Sequence, residues 1–235
     1  MIRLLKHNDS IPFQGVLDMN STFFYFLFAG MAAMFVVMWF CARVYNISVW
    51  KIAAIAVFLM PAGYYGAKLM FCIEAGYWSG RSLYGAIFLV PVVMLPVGKL
   101  LKLRYGELMD VCSPAGCVMF AVLKVKCVID GCCAGRLITI GGKQLIFPSQ
   151  KVEGVVFLII MAVVILMIFS KKYHTLVYPW FMVIYGVLRF FLNLLRETTP
   201  WIGPLPAGNC WSLISIAIGT IVIVCVKRNS KKAAA

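Results

Sequence analysis

The run YPWFMVIYGVLRFFLNLLR, Tyr178–Arg196, decides how this chain folds. It is apolar almost throughout, and a helix of about 20 such residues crosses a bilayer. Yet it carries Tyr185, Arg189, Asn193 and Arg196 at spacings of i, i+4, i+8 and i+11, which a helix gathers into one broad stripe. An ionisable side chain well inside a span costs at least about 2.5–3.5 kcal/mol. Such a residue faces the interior of a bundle and binds something, and for arginine the ligand is an anion.

Working outward, the rest of the chain has the same character. Of its 235 residues 63% are hydrophobic and only 13% charged, which excludes a soluble globular domain. Seven apolar stretches are long enough to cross, at about 21–42, 49–73, 83–101, 108–129, 153–170, 177–195 and 209–226. They predict an all-α integral membrane protein, one seven-span bundle over 21–226 with an outer segment before it, 1–20, and a basic cytoplasmic tail after it, 227–235. The three closing alanines read as an artificial addition. The first span does not read as a cleavable signal peptide, being too long for an h-region and preceded by a polar stretch.

Lysine and arginine set the expected orientation. Arg43, Lys51, Lys99, Lys102, Arg104, Lys171, Lys172, Lys227, Arg228, Lys231 and Lys232 share one side, in short loops and the tail. By the positive-inside rule that side is cytoplasmic, with the N-terminus outside and the C-terminus inside. The other 11 of the 22 basic residues include Arg81, Lys124, Lys126, Arg136, Lys143 and Lys151, kept against that bias. Snorkelling explains single lysines; the set as a whole suggests lipid headgroups, not nucleic acid.

Two outer segments are elaborate. Residues 130–152, with Gly131, Gly135, Gly141, Gly142 and Pro148, read as a folded lid, and the prolines of 196–208 forbid a continuous helix. Polar chemistry clusters near this face. Gly66-Ala67-Lys68-Leu69 places a lysine in a small-residue patch, with Glu74 six residues later; close helix packing accounts for the glycine and alanine but not for Lys68. Ser79–Gly85 opens the third span with backbone N–H groups that suit an anion, although capping alone accounts for such a start. The fourth span ends in Lys124, Lys126, Cys127, Asp130, Gly131, Cys132 and Cys133, and the fifth is introduced by Pro148-Ser149-Gln150-Lys151-Val152-Glu153. Helix starts favour both that proline and that glutamate.

In this order the segments, from about Tyr25 to Gly208, resemble the prolipoprotein diacylglyceryl transferases of bacterial membranes. Gly66-Ala67-Lys68-Leu69 resembles the family's Gly-Ala-Arg-Leu, and Ser82-Leu83-Tyr84-Gly85 its Ser-Phe-His-Gly-Gly. Asp110, Pro114 and Lys124–Gly131 resemble Arg-x-Gly-Asn-Phe-x-Asn-Gly-Glu. Pro148-Ser149-Gln150-x-x-Glu153 is similar to Pro-Ser-Gln-Leu-Tyr-Glu, and Tyr185-Gly186-x-x-Arg189 through Arg196-Glu197 to Tyr-Gly-x-x-Arg-x-x-x-Glu-x-x-Arg-Glu. The departures are Lys124 for arginine, Cys127 and Asp130 for asparagines, Cys132 for glutamate, Tyr84 and Phe147 for histidines, and Asn193 for glutamate.

The resemblance implies transfer of a diacylglyceryl group from phosphatidylglycerol to a cysteine thiol of a secreted protein, or a related acceptor, releasing glycerol phosphate. It assigns Lys124 and Arg189 to the phosphate and Tyr84 to orienting it or relaying a proton. Tyr25, Lys68, Ser82, Gly85, Cys127, Asp130, Gly131, Arg136, Ser149, Gln150, Glu153, Asn193 and Arg196 are the expected substrate-binding residues. No cofactor or metal is expected: the only histidines, His7 and His174, fall on opposite sides of the expected topology. A monomer in the bacterial cytoplasmic membrane is the expectation. Cys72, Cys127, Cys132, Cys133 and Cys210 share the outer level, where a disulfide is permitted. Alternatively a site cysteine carries lipid covalently. A non-catalytic lipid- or anion-binding protein, a transporter or assembly factor, is the competing class.

Overall fold

The computed structural model describes residues 21–78, 80–131, 135–140, 143–196, 201–202 and 204–234. The segment 1–20, Ser79, Cys132, Cys133, Gly141, Gly142 and Glu197 lie outside the described residues. Seven helices are long and apolar enough to cross a membrane: α1 Ser21–Ala42, α2 Val49–Ala75, α3 Leu83–Leu100, α4 Tyr105–Ile129, α5 Ser149–Phe169, α6 Val177–Leu194 and α7 Ala207–Ala234. Two antiparallel hairpins interrupt them, β1 Leu137–Ile140 with β2 Lys143–Ile146 and β3 Trp201–Ile202 with β4 Leu205–Pro206. The chain is a multi-pass α-helical membrane protein. The expected tail from residue 227 is helical, a continuation of α7 to Ala234.

The helices pack chiefly in pairs, α2 on α3, α6 on α7, α4 on α5 and α1 on α4. Lipid supplies no hydrophobic drive for such pairs, so close backbone approach and polar contacts between helices must hold them. At the α2–α3 crossing a Cβ on Gly85 would stand 1.8 Å from the Gly66 carbonyl oxygen. Only glycine fits there. Polar contacts fasten other crossings: the Tyr178 hydroxyl donates to the Ile87 carbonyl at 2.5 Å and Ser215 Oγ to that of Met182 at 2.9 Å. Between these layers sit Met38, Ile55, Met94, Leu108, Val111, Phe157 and Val164, all fully buried.

One end of the bundle is closed by a carboxylate. Asp110, 0% exposed, accepts hydrogen bonds from the Tyr45 hydroxyl at 2.8 Å, the Thr175 N–H at 2.6 Å and the Val177 N–H at 3.0 Å. It thereby ties the turn after α1 to the tight loop before α6. Left-handed residues Asn46, Lys102, Lys171 and Thr175 reverse the chain at this same end. Lys124 lies 14 residues along α4 from Asp110, about 21 Å at 1.5 Å per residue. Asp110 therefore stands remote from the cationic end of its own helix.

Candidate functional site

Glu153 is the meeting point of the other end. It lies one turn into α5 and is 2% exposed. Lys124 of α4 pairs with its Oε2. Its Oε1 faces Arg189 Nη1 of α6 at 2.6 Å and Arg196 Nη1 at 3.8 Å, and accepts a longer bond from Ser149 Oγ at 3.4 Å. A carboxylate taken out of water pays several kcal/mol, which only such partners offset. Here the partners exceed the need: three cations face one carboxylate, leaving two formal positive charges in a largely enclosed site. The cations keep 12–17% of their side-chain exposure, so a ligand reaches them.

Beneath the ions lies an aromatic floor. Tyr185 stacks on Phe157 at 5.5 Å and on Phe181 at 5.9 Å between ring centres, and Tyr84 tilts against it at 5.6 Å. This apolar layer excludes water from below and fixes the turn of α6 that presents Arg189. The Tyr84 hydroxyl lies 2.6 Å from Ser212 Oγ, and Ser212 gives its single hydrogen to the Gly208 carbonyl at 2.7 Å. Tyr84 must then donate to Ser212. Its proton is committed to joining α3 to α7.

Several buried polar atoms around this centre find no protein partner: the Tyr185 hydroxyl, both amide atoms of Asn193 and of Asn209, Arg196 Nε and the Trp211 indole N–H. Asn193 and Asn209 are each 1% exposed. Gly208 lets Asn193 approach α7, since a Cβ there would meet Asn193 Nδ2 at 2.4 Å. Unpaired groups at such depth are rare and mark a place where a polar ligand or water belongs.

The β1–β2 hairpin is seated on this site by the backbone that flanks it. Gly135 N–H donates to the Phe147 carbonyl at 3.2 Å, Arg136 N–H to the Leu195 carbonyl at 2.9 Å, and Arg136 Nε to that of Arg196 at 2.9 Å. Arg136 thus stitches the hairpin to the end of α6, with its side chain committed to backbone. Gln150 and Cys127 are half-buried, each a turn from a site residue, Glu153 and Lys124 respectively.

Other expected residues lie apart. Asp130 pairs with Lys126 on an exposed face, and Gly131 adopts a left-handed turn at φ 67° after α4. Lys68 Nζ stands 5.8 Å over the Tyr64 ring, with Arg81 on the same ring at 5.4 Å. Tyr25 is 74% exposed on α1, and among the described residues no polar contact joins it to Glu153. Cys72 and Cys210 carry no disulfide. Cys132 and Cys133 lie outside the described residues.

Sequence reasoning passed over α7. Asn209, Ser212 and Ser215 recur every three residues and are all buried, a polar stripe in an apolar span that the spacing alone announces. It also gave Glu74 no role, although Ser82 Oγ donates to Glu74 Oε1 at 2.6 Å.

The comparisons agree with this architecture. The Finegoldia magna protein named phosphatidylglycerol–prolipoprotein diacylglyceryl transferase is 27% identical over 207 residues, 80% of this chain and 83% of the relative. A Geobacter sulfurreducens protein of the same name is 27% identical over 166 residues, 63% of this chain and 62% of the relative. Residues 24–225 match the family described as prolipoprotein diacylglyceryl transferase, and the chain belongs to that family.

Proposed function

We propose that this protein transfers the diacylglyceryl group of phosphatidylglycerol to a cysteine thiol of a prolipoprotein, releasing glycerol phosphate. The convergence of Lys124 from α4 and of Arg189 and Arg196 from the α6 stretch on Glu153 carries the reading, because it leaves a buried excess of positive charge. In the reaction the thiol loses its proton and the sulfur attacks the glyceryl carbon that bears the phosphate. The carbon–oxygen bond breaks, and its electron pair leaves with the phosphate oxygen. Charge grows on that phosphate as the bond opens, so cations fixed in advance stabilise the transition state more than the ground state.

Arg189 and Lys124 are the residues for this task. Glu153 holds both in place while sharing only part of their charge. Lys124 contributes a point charge without the fork of arginine, so this side of the phosphate is bound less directionally. The amides of Asn193 and Asn209 both donate and accept, as the hydroxyls of a glycerol headgroup do. An apolar groove of about 170 Å³ between α2 and α3, lined by Leu69, Met70, Ile73 and Phe88, gives an acyl chain a place to lie.

The proposed setting is the bacterial cytoplasmic membrane, with the hairpin-bearing end outward and the protein acting as a monomer. The test is incubation of the purified protein, in vesicles containing phosphatidylglycerol, with a lipobox peptide. Glycerol phosphate should appear only when both substrates are present and in step with lipidation of the peptide. Tight lipid binding without release would overturn the proposal in favour of a carrier.

A further inference from the structure

Among the described residues Glu74 is the acidic group at this end that forms no ion pair. Of the described carboxylates, Glu107 and Asp110 belong to the opposite half of α4, Asp130 pairs with Lys126, and Glu153 is enclosed by Lys124, Arg189 and Arg196. Glu74 stands in the last turn of α2, which ends because Gly76 takes a left-handed conformation at φ 79°. Ser82, the residue before α3, donates to Oε1 at 2.6 Å. Arg189 of α6 and Tyr84 of α3 are the charged and titratable groups that act on it electrostatically. From α7 the Trp211 indole N–H lies within donor reach of it. Glu74 is therefore half-buried where α2 ends and α3 begins, two residues from Tyr84 through its partner Ser82, which holds it by one neutral hydroxyl.

Resting on the transferase reading above, the reaction lacks a proton acceptor. A thiol with a pKa of about 8.5 is mostly protonated at neutral pH and a poor nucleophile. Lys124, Arg189 and Arg196 are cations, the Tyr84 proton is tied to Ser212, and the oxygens of Glu153 are already taken. We propose that Glu74 is the catalytic base that takes the proton of the acceptor thiol, with Ser82 as the residue that positions it. The S–H proton moves to Glu74 Oε2, and the sulfur's electron pair forms the carbon–sulfur bond. The carbon–oxygen bond then breaks towards the phosphate held at Arg189. The phosphate monoester so released has a second pKa of about 6, so it or water can carry the proton away and restore the carboxylate.

The experiment compares the pH dependence of turnover in the wild type, Glu74→Gln, Glu74→Asp and Ser82→Ala, all in phosphatidylglycerol vesicles. The amide oxygen introduced by Glu74→Gln still accepts the Ser82 bond, so this variant removes the base and little else. Glu74→Gln should lose about 10²-fold or more in kcat at neutral pH, with KM for phosphatidylglycerol little changed. It should recover as pH rises past the thiol's own pKa, because thiolate then forms without help. Glu74→Asp should retain the wild-type profile at a reduced rate, and Ser82→Ala should lose less than Glu74→Gln. An unchanged rate at neutral pH, or a loss equal at every pH, overturns the assignment. Infrared difference spectra of the thiol peptide bound in the absence of donor lipid supply a readout apart from turnover. The S–H band should shift down in frequency in the wild type, where the thiol hydrogen-bonds to the Glu74 carboxylate, and less in Glu74→Gln; no such difference also overturns it. Absence of glycerol phosphate release by the wild type, with that shift present, overturns the transferase reading and leaves Glu74 as the group that receives the thiol.

Discussion

Replacing Glu153 by glutamine keeps the side-chain shape and removes one charge, which makes it the sharpest probe of how the site is held. In the wild type the two oxygens face Lys124 on one side and Arg189 with Ser149 on the other. A glutamine must turn its NH₂ towards one of these sides, donor against donor, so at least one cation loses its partner. Breaking one partner out of a buried ion pair costs about 3–5 kcal/mol, and the partial exposure of the three cations favours the lower end. For a chain of this size each kcal/mol moves the melting temperature by about 2–4 °C, so the fall should be about 6–12 °C. The cations freed from Glu153 should grip a phosphate harder. In phosphatidylglycerol vesicles the melting deficit should therefore shrink, KM for the lipid should fall, and kcat should fall too as Arg189 loses its fixed position. Melting followed by tryptophan fluorescence in phosphatidylcholine and in phosphatidylglycerol vesicles, beside glycerol phosphate release, measures all three. Equal melting temperatures for wild type and Glu153→Gln in both lipids would refute the idea that Glu153 organises the site.

Arg189→Ala should lower turnover by about 10²-fold or more, the scale of losing one group that stabilises developing charge. Lys124→Arg should keep or raise it in the same release assay, since the fork adds a second bond to phosphate. Cys127→Ser should stay substantially active, and intact-protein mass spectrometry after exposure to donor lipid alone should show no adduct; a stoichiometric lipid on Cys127 would establish a covalent carrier instead. For orientation, a cysteine placed at Asn229 should be labelled only from the cytoplasmic side, and labelling only from outside the cell would reverse the proposed topology.

The spans were legible because crossing a bilayer demands a long apolar run, and all seven helices fall where such runs do. Their ends were less so. Helix α4 starts at Tyr105 instead of near 108, with Glu107 in its first turn, where the helix dipole favours an acid. Helix α5 starts at Ser149 because Pro148 suits a helix start and not an interior. The arginine stripe of α6 could be read from one segment, since its spacing lies within one helix. That Glu153 gathers Lys124, Arg189 and Arg196 could not, because the contact joins three segments whose relative heights no spacing records. Glutamate at a helix start already has a sufficient explanation in the helix dipole, and that local account concealed the tertiary one.

The two deepest carboxylates are satisfied in opposite ways, and the difference gives the bundle its direction. Asp110 is met by a hydroxyl and two backbone N–H groups, all neutral donors, in a network that ties loops together and leaves no positive charge over. That end is finished by the protein itself. Glu153 is met by three cations where one would neutralise it. Surplus charge in a largely enclosed site is unfavourable until an anion arrives, so the protein has built this end to be completed by something else. The same contrast separates Glu153 from Glu74, one carboxylate fixed by cations and the other held by a neutral hydroxyl. A site that must hold a phosphate and also remove a proton needs two carboxylates in those two conditions, because a single one could not both hold the cations in place and accept a proton.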